Sequence, residues 1–269
     1  MKEAAGLCTA TLDNSAVDTL GDSMPETAPF ASAPNNRFSV KSNGILVLGM
    51  HRSGTSAMTR VLNLLGCALP AEIVGPGDGN ELGHWESLSA VAVNDEILAS
   101  AGSSWEDWGP LNADWRESGL RTVLVQQVVG VVAEHAALGP LFVVKDPRLC
   151  RVADLWLDAM DDVGVEPHII LMIRNPTEVS ASLENRDLMV AGYGHLLWLR
   201  HALDSEYLSR GRRRVVCRYD QLMRDWHGVI DHVKAGLDVV LPRNSPAVHA
   251  KIEKFLSAPQ RHHKTDTAD

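Results

Sequence analysis

Short apolar runs alternate along the chain with stretches in which apolar residues recur at helical spacing. Four runs read as buried strands, over residues 45–49, 141–144, 168–173 and 214–218. Each is bounded by turn residues, such as Gly139-Pro140 and Asp146-Pro147 around the second and Asn175-Pro176 after the third. Between them, helical spacing predicts helices over 57–65, 86–101, 115–138, 177–184 and 193–210. Residues 70–83 are dense in glycine and proline and read as an irregular loop. A second loop over 102–114 carries Trp105 and Trp108. Apolar strands alternating with helices predict an α/β fold, a P-loop-type parallel β-sheet with helices on both faces. In such sheets ligands gather beyond the C-terminal strand ends, which is where Arg52, Lys145 and Arg174 fall.

The length of 269 residues suffices for a full core and favours one main domain, expected over 44–269. Residues 1–43, rich in Ala, Ser, Thr, Asp, Pro and Asn without sustained periodicity, read as a flexible leader or linker. A net charge of -9 argues against nucleic acid as a partner, so any polyanion site must be local. Cys8, Cys67, Cys150 and Cys217 are scattered without a C-x-x-C pair, which suggests neither a metal site nor a disulfide framework. No run approaches the roughly 18–20 consecutive apolar residues of a membrane span, and no signal-peptide pattern opens the chain. These features predict a cytoplasmic setting. The oligomeric state is not legible.

The segment from Gly44 to Arg60 carries the most chemistry. A strand runs into a turn built on Ser53, Gly54, Thr55 and Ser56, and the turn into a helix. Such a turn aims backbone N–H groups and a helix N-terminus at one point, a ready site for phosphate. A nucleoside triphosphatase would show G-x-x-x-x-G-K-S/T, its lysine reaching the terminal phosphates and its hydroxyl holding magnesium. Gly49 and Gly54 keep that spacing, but Thr55 stands where the lysine would be, and the cation is Arg52, before the second glycine. The turn can still cradle an anion, while magnesium-triphosphate chemistry is disfavoured. The second segment is Arg174-Asn-Pro-Thr-Glu-Val-Ser-Ala-Ser182. An arginine leaves a strand, a proline opens a helix where its missing N–H costs nothing, and Ser182 follows about two turns later.

Together the two segments resemble the sulfotransferases that use 3′-phosphoadenosine 5′-phosphosulfate (PAPS). His51-Arg-Ser-Gly-Thr-Ser looks like their 5′-phosphosulfate loop, and the R-S-G-T form is closer to the bacterial and tyrosylprotein branches than to the cytosolic enzymes. Lys145-Asp-Pro-Arg148 resembles a K-D-P segment of that branch, and Arg218-Tyr-Asp-Gln-Leu222 a Y-E-D-L segment. The resemblance implies that Arg52, Ser53, Gly54, Thr55 and Ser56 hold the 5′-phosphosulfate, that Arg174 and Ser182 hold the 3′-phosphate, and that Tyr219 lies near adenine. Lys145 would approach the transferring group. The glycine-rich R-K-G segment of cytosolic members is missing, and only Arg261-His-His-Lys264 offers comparable charge near the C-terminus.

The implied activity moves a sulfuryl group from PAPS, without a metal, to a hydroxyl of a small-molecule, glycan or lipid acceptor. Arg52 and Lys145 would stabilise the charge. Glu86 is the expected general base, with His84 and His51 as substitutes. Trp85, Trp105 and Trp108 would either line an acceptor pocket or anchor the long loops. The alternatives are an atypical P-loop kinase and a nucleotide-binding module without catalysis.

Overall fold

The computed structural model describes residues 42–77 and 80–257. Almost all of the expected leader, and the basic run over 261–264, lie outside the described residues.

The sheet is built from β1 (Asn43–Leu48), β2 (Leu141–Lys145), β3 (Glu166–Ile173) and β4 (Arg214–Arg218), in the order β2-β1-β3-β4 and parallel throughout. Alternation along β1 assigns its side chains to two faces. Ile45 and Val47 join one apolar cluster, and Leu46 and Leu48 join the other. The first cluster is covered by α1 (Thr55–Leu64), α8 (Tyr219–Arg224), α9 (Trp226–Leu237) and α10 (Pro246–Ser257). The second is covered by α2 (Leu88–Ser100), α3 (Ala113–Arg116), α4 (Gly119–Ala136) and α5 (Leu149–Val163). A third, small cluster packs α6 (Pro176–Asp187) and α7 (Ala191–Leu208) against Met50 and Trp105.

The fold class is as the alternation predicts, with differences inside it. The helix expected over 115–138 is two helices: the four-residue α3 ends at Arg116, Ser118 turns its hydroxyl back to the Trp115 carbonyl (2.7 Å) from an extended backbone, and α4 starts at Gly119. Helix α2 begins at Leu88 with the Ser87 side chain accepting from Ala90 N–H, so Glu86 lies before the cap rather than in a first turn. Helices α5, α8, α9 and α10 are additional to the expected elements.

Because all four strands point the same way, their C-terminal ends share one edge. Lys145 ends β2, the turn containing Arg52 follows β1, Arg174 follows β3 and Tyr219 follows β4. No helix among the described residues is long and apolar enough to cross a membrane.

Candidate active site

The turn after β1 is shaped by two glycines. A Cβ at Gly49 would come within 2.8 Å of the Met172 carbonyl oxygen and 2.9 Å of Thr55 Cγ2, so only hydrogen lets the turn lie this close to β3. Gly54 has φ +87°, and a Cβ there would stand 2.2 Å from Tyr219 Cδ2. Between them Arg52 also adopts a left-handed backbone, with φ 68°. The Gly49 N–H donates to Cys150 Sγ (3.0 Å), and Ser53 N–H to the Met50 carbonyl (3.1 Å). Burial pushes the Cys150 thiol up to about 12, so it is a neutral acceptor here. Helix α1 then starts with no side-chain cap and no acidic residue in its first turn. Its positive end therefore has no counter-charge from its own first turn.

Arg52 and Arg174 are linked. The Arg52 Nε donates to Ser182 Oγ (2.7 Å), and Arg174 Nη1 donates to the Arg52 carbonyl (3.0 Å). Arg174 also pairs with Glu178 (2.8 Å) one helical turn on, and its guanidinium lies 4.8 Å from the Tyr219 ring centroid. Burial, then the charges of Arg186 and Arg174, hold the Arg52 guanidinium below its ordinary value.

Lys145 stands at the floor, its side chain 3% exposed. Its three ammonium protons are all placed: on Ser56 Oγ (3.1 Å), the His84 carbonyl (3.2 Å) and Glu86 Oε1. Glu86 is fixed by backbone pairing. Val74 N–H donates to the Glu86 carbonyl (2.8 Å), and Leu88 N–H to Glu72 (3.1 Å), around a bridge between Ile73 and Ser87. Next to Lys145, fully buried Asp146 accepts from Asn94 Nδ2 (2.9 Å) and Arg148 Nη1 (2.9 Å). Burial, and more weakly the Glu86 charge, raise its carboxyl above the ordinary range against the pull of Arg148.

These groups enclose one crevice of about 340 Å³. His51, Arg52, Gly54, Thr55 and Ser56 line it from the turn, Glu86 and Lys145 from the floor, and Arg174 and Tyr219 from the far strands. Ser53 and Ser182, 1% and 4% exposed, lie behind this wall, and Ser182 meets it through Arg52. The His51 ring packs 4.5 Å from Trp105, and its Nε2 is buried without a partner among the described residues. Burial, then Arg186 and Arg148, push its pKa well below 6.5, so the imidazole is neutral. His84 Nδ1 is engaged with the Gly75 carbonyl (2.8 Å).

None of the three tryptophans lines the crevice, and only Trp105 packs against an apolar cluster. Trp85 lies under the Arg60 guanidinium (4.2 Å), Trp105 packs on His51, and Trp108 is 45% exposed. The apolar wall of the crevice comes instead from Leu82, Pro147 and Tyr219. Asn80, Glu81, Leu82 and Arg186 are wall residues that the motifs do not mark. Arg186 was findable, because it stands four residues after Ser182 on the same helix.

The sheet edge and its contents define an α/β protein with a crevice built on a strand-turn-helix and lined by Arg52, Lys145 and Arg174. No family model matches the chain, and no curated protein matches it. Solved structures similar to it include the sulfotransferase domain of the olefin synthase of Synechococcus PCC 7002, at 16% identity and a TM-score of 0.47 over 85% of this chain and 90% of that one. A sulfotransferase domain from the curacin biosynthetic pathway is 17% identical, with a TM-score of 0.48 over 77% of each chain. A sulfotransferase from Mycobacterium tuberculosis is 14% identical, with a TM-score of 0.44 over 80% of this chain and 72% of that one.

Proposed function

We propose that the chain is a PAPS-dependent sulfotransferase acting on a hydroxyl-bearing acceptor. The observation that carries this reading is the joining of an uncapped helix N-terminus, Arg52 and Arg174 with a buried Lys145–Glu86 pair in one crevice. A doubly anionic nucleotide needs separated cations, and transfer to a hydroxyl needs a base beside them.

The residues fit the donor. The turn and the start of α1 would take the 5′-phosphosulfate, with Gly54 leaving the room that a Cβ would fill against Tyr219. Arg174 and Ser182 would take the 3′-phosphate, and the Tyr219 ring offers a flat apolar face near the nucleoside. When bound, the donor supplies the sulfuryl group, and its phosphate leaves with the electron pair of the broken O–S bond. Glu86 accepts the acceptor's hydroxyl proton as the new O–S bond forms. Lys145, anchored to Ser56 and the His84 carbonyl, keeps a positive charge at the floor where negative charge shifts toward the leaving oxygen. A sulfuryl group carries less charge than a terminal phosphoryl group, so side-chain cations suffice. Leu82 and Pro147, on the wall beside Glu86, would flank an acceptor.

Calorimetry decides between donors. The chain should bind 3′-phosphoadenosine 5′-phosphate without metal and more tightly than ATP with magnesium, and Arg52→Ala and Arg174→Ala should each weaken that binding. Equal affinity in wild type and both variants would remove these arginines from the site, and a preference for magnesium-ATP would favour a kinase.

A further inference from the structure

Helix α7 is built to pack on its inner face, where Gly194, Leu197, His201 and Ser205 are buried. A surface helix ordinarily turns polar residues outward. The outer face of α7 instead carries Leu196, Leu199, Leu203 and Tyr207, which are 41–66% exposed. Exposed Gly192 and Arg210 close this stripe at its two ends. The steps of three and four residues along it are those of a seam between helices, and over the 18 residues of α7 the seam is about 27 Å long. Leu188 and Val190, both exposed, lead into it. The four side chains leave on the order of 400 Å² open, as much as the patches that mark interaction sites on monomers.

We propose that the outer face of α7 docks a second copy of this chain, the two helices packing antiparallel about a two-fold axis near residue 201; this is independent of the sulfotransferase reading above. The stripe is symmetric about that point. Leu199 and Leu203 lie two residues to either side of it, so each meets the other in the second copy, and Leu196 meets Tyr207. A two-fold contact requires such self-complementarity. The flanks set the direction. His195 and Glu206 are eleven residues apart, about three helical turns, and so share one flank. Antiparallel packing brings each imidazole to the carboxylate of the second copy, whereas parallel packing would set Glu206 against Glu206. Glu206 already holds Arg210 (2.7 Å) and Arg214 (2.9 Å), but its side chain is 40% exposed, and a carboxylate has room for a further donor. On the opposite flank Arg200 pairs with Asp204 (3.1 Å) and donates to the Trp108 carbonyl (2.8 Å), so it reaches the seam already neutralised. Antiparallel packing also opposes the two helix dipoles. With the flanks, Leu188 and Val190 added to the stripe, the face approaches the roughly 800 Å² a side of a stable dimer.

Sedimentation of the full chain, from micromolar to hundreds of micromolar, reads the association. Wild type should dimerise, and Leu199→Glu and Leu203→Glu should each weaken the dimer by at least about 100-fold, because either one buries a charge from each copy in the seam. Both positions are exposed in the single chain, so the variants should keep the wild-type melting temperature at low concentration. Disulfides read the direction, in a Cys8→Ser background whose remaining cysteines are buried. Chains carrying Gly192→Cys and Arg210→Cys should cross-link when mixed, and neither should cross-link alone. A wild type that stays monomeric over this range would overturn the proposal, whether the face lies open or is covered by residues 1–41. Association that survives both glutamates would do the same, by placing the interface elsewhere. Cross-linking of each cysteine chain only with itself would make the helices parallel and overturn the two-fold arrangement.

Discussion

Lys145 and Glu86, fifty-nine residues apart in sequence, form an ion pair at the floor of the crevice with side chains 3% and 7% exposed. The strand end fixes one partner and the paired backbone of Ile73 and Ser87 fixes the other. The pair therefore joins the sheet to a long loop and places a carboxylate beside a cation.

Glu86→Gln keeps the shape of the floor and removes the proton acceptor. Turnover with PAPS and a hydroxyl acceptor found by screening should fall by about 10²–10⁴-fold, while calorimetric affinity for 3′-phosphoadenosine 5′-phosphate stays close to wild type. Unchanged turnover would hand the base role to His84 or His51.

Breaking the pair from the other side should cost stability. Lys145→Met leaves Glu86 buried without its counter-charge, an error of about 3–5 kcal/mol. Adding Glu86→Gln removes that stranded charge, so the double variant should be more stable than Lys145→Met alone in urea unfolding. Additive costs would mean that the two groups are not coupled.

Gly54→Ala tests the turn. The left-handed backbone alone costs an L-residue about 1–2 kcal/mol, and the new methyl would overlap Tyr219. Thermal unfolding should fall, and nucleotide binding with it. Combining it with Tyr219→Ala should recover the overlap part of the stability but not the backbone part. Full recovery would show that φ at Gly54 carries no strain.

Acid stability reports on His201, which is fully buried, donates through Nδ1 to the Leu197 carbonyl (2.9 Å), and has its pKa lowered by burial from 6.5 to about 3. The unfolded chain protonates this imidazole near its ordinary value while the folded chain holds it neutral. The unfolded state therefore binds more protons throughout that window. The contribution is complete above about pH 6.5 and is lost as pH falls toward about 3. Between about pH 6 and about pH 4 the wild-type unfolding free energy should fall more steeply than that of His201→Leu, by up to about 1.4 kcal/mol per pH unit. Parallel slopes would remove His201 as a source of acid sensitivity.

What the sequence made legible follows from burial. Strands β1, β2 and β3 are buried on both faces or nearly so, and their continuous apolar runs stand out within a residue or two of their ends; edge strand β4 alternates instead, with Val215 and Cys217 buried and Val216 55% exposed. At the start of helix α5, Leu149, Cys150, Arg151, Val152 and Ala153 are all buried in succession, which blurs helical spacing over that turn, and non-helical backbone at Val152 kinks it; from Asp154 on, the spacing of Leu155, Trp156, Ala159 and Met160 is helical. Its Arg151 reads as a solvent position in sequence, yet it is 0% exposed and paired with Asp204 (2.8 Å). Helix α9 is different. Trp226, Val229, Ile230, Val233 and Leu237 keep a helical spacing that the chain displays openly. At the site, the turn, Arg174 and Lys145 announce themselves through motif and strand end. Asn80 and Leu82 do not, because only the folded loop brings them to the wall.

The strand order β2-β1-β3-β4 has a consequence for how this crevice can be altered. Neighbouring strands stand roughly 4.8 Å apart, so Lys145, the Gly49–Gly54 turn, Arg174 and Tyr219 are spaced by a hydrogen-bonded lattice. None can be shifted without dislocating a ladder. The stretch from Pro70 to Glu86 meets the lattice at few points, and surface loops accept insertions and exchanges. Recombining that stretch alone between related chains would change what enters beside Lys145 while leaving the Arg52, Arg174 and Tyr219 side of the crevice as a fixed chassis.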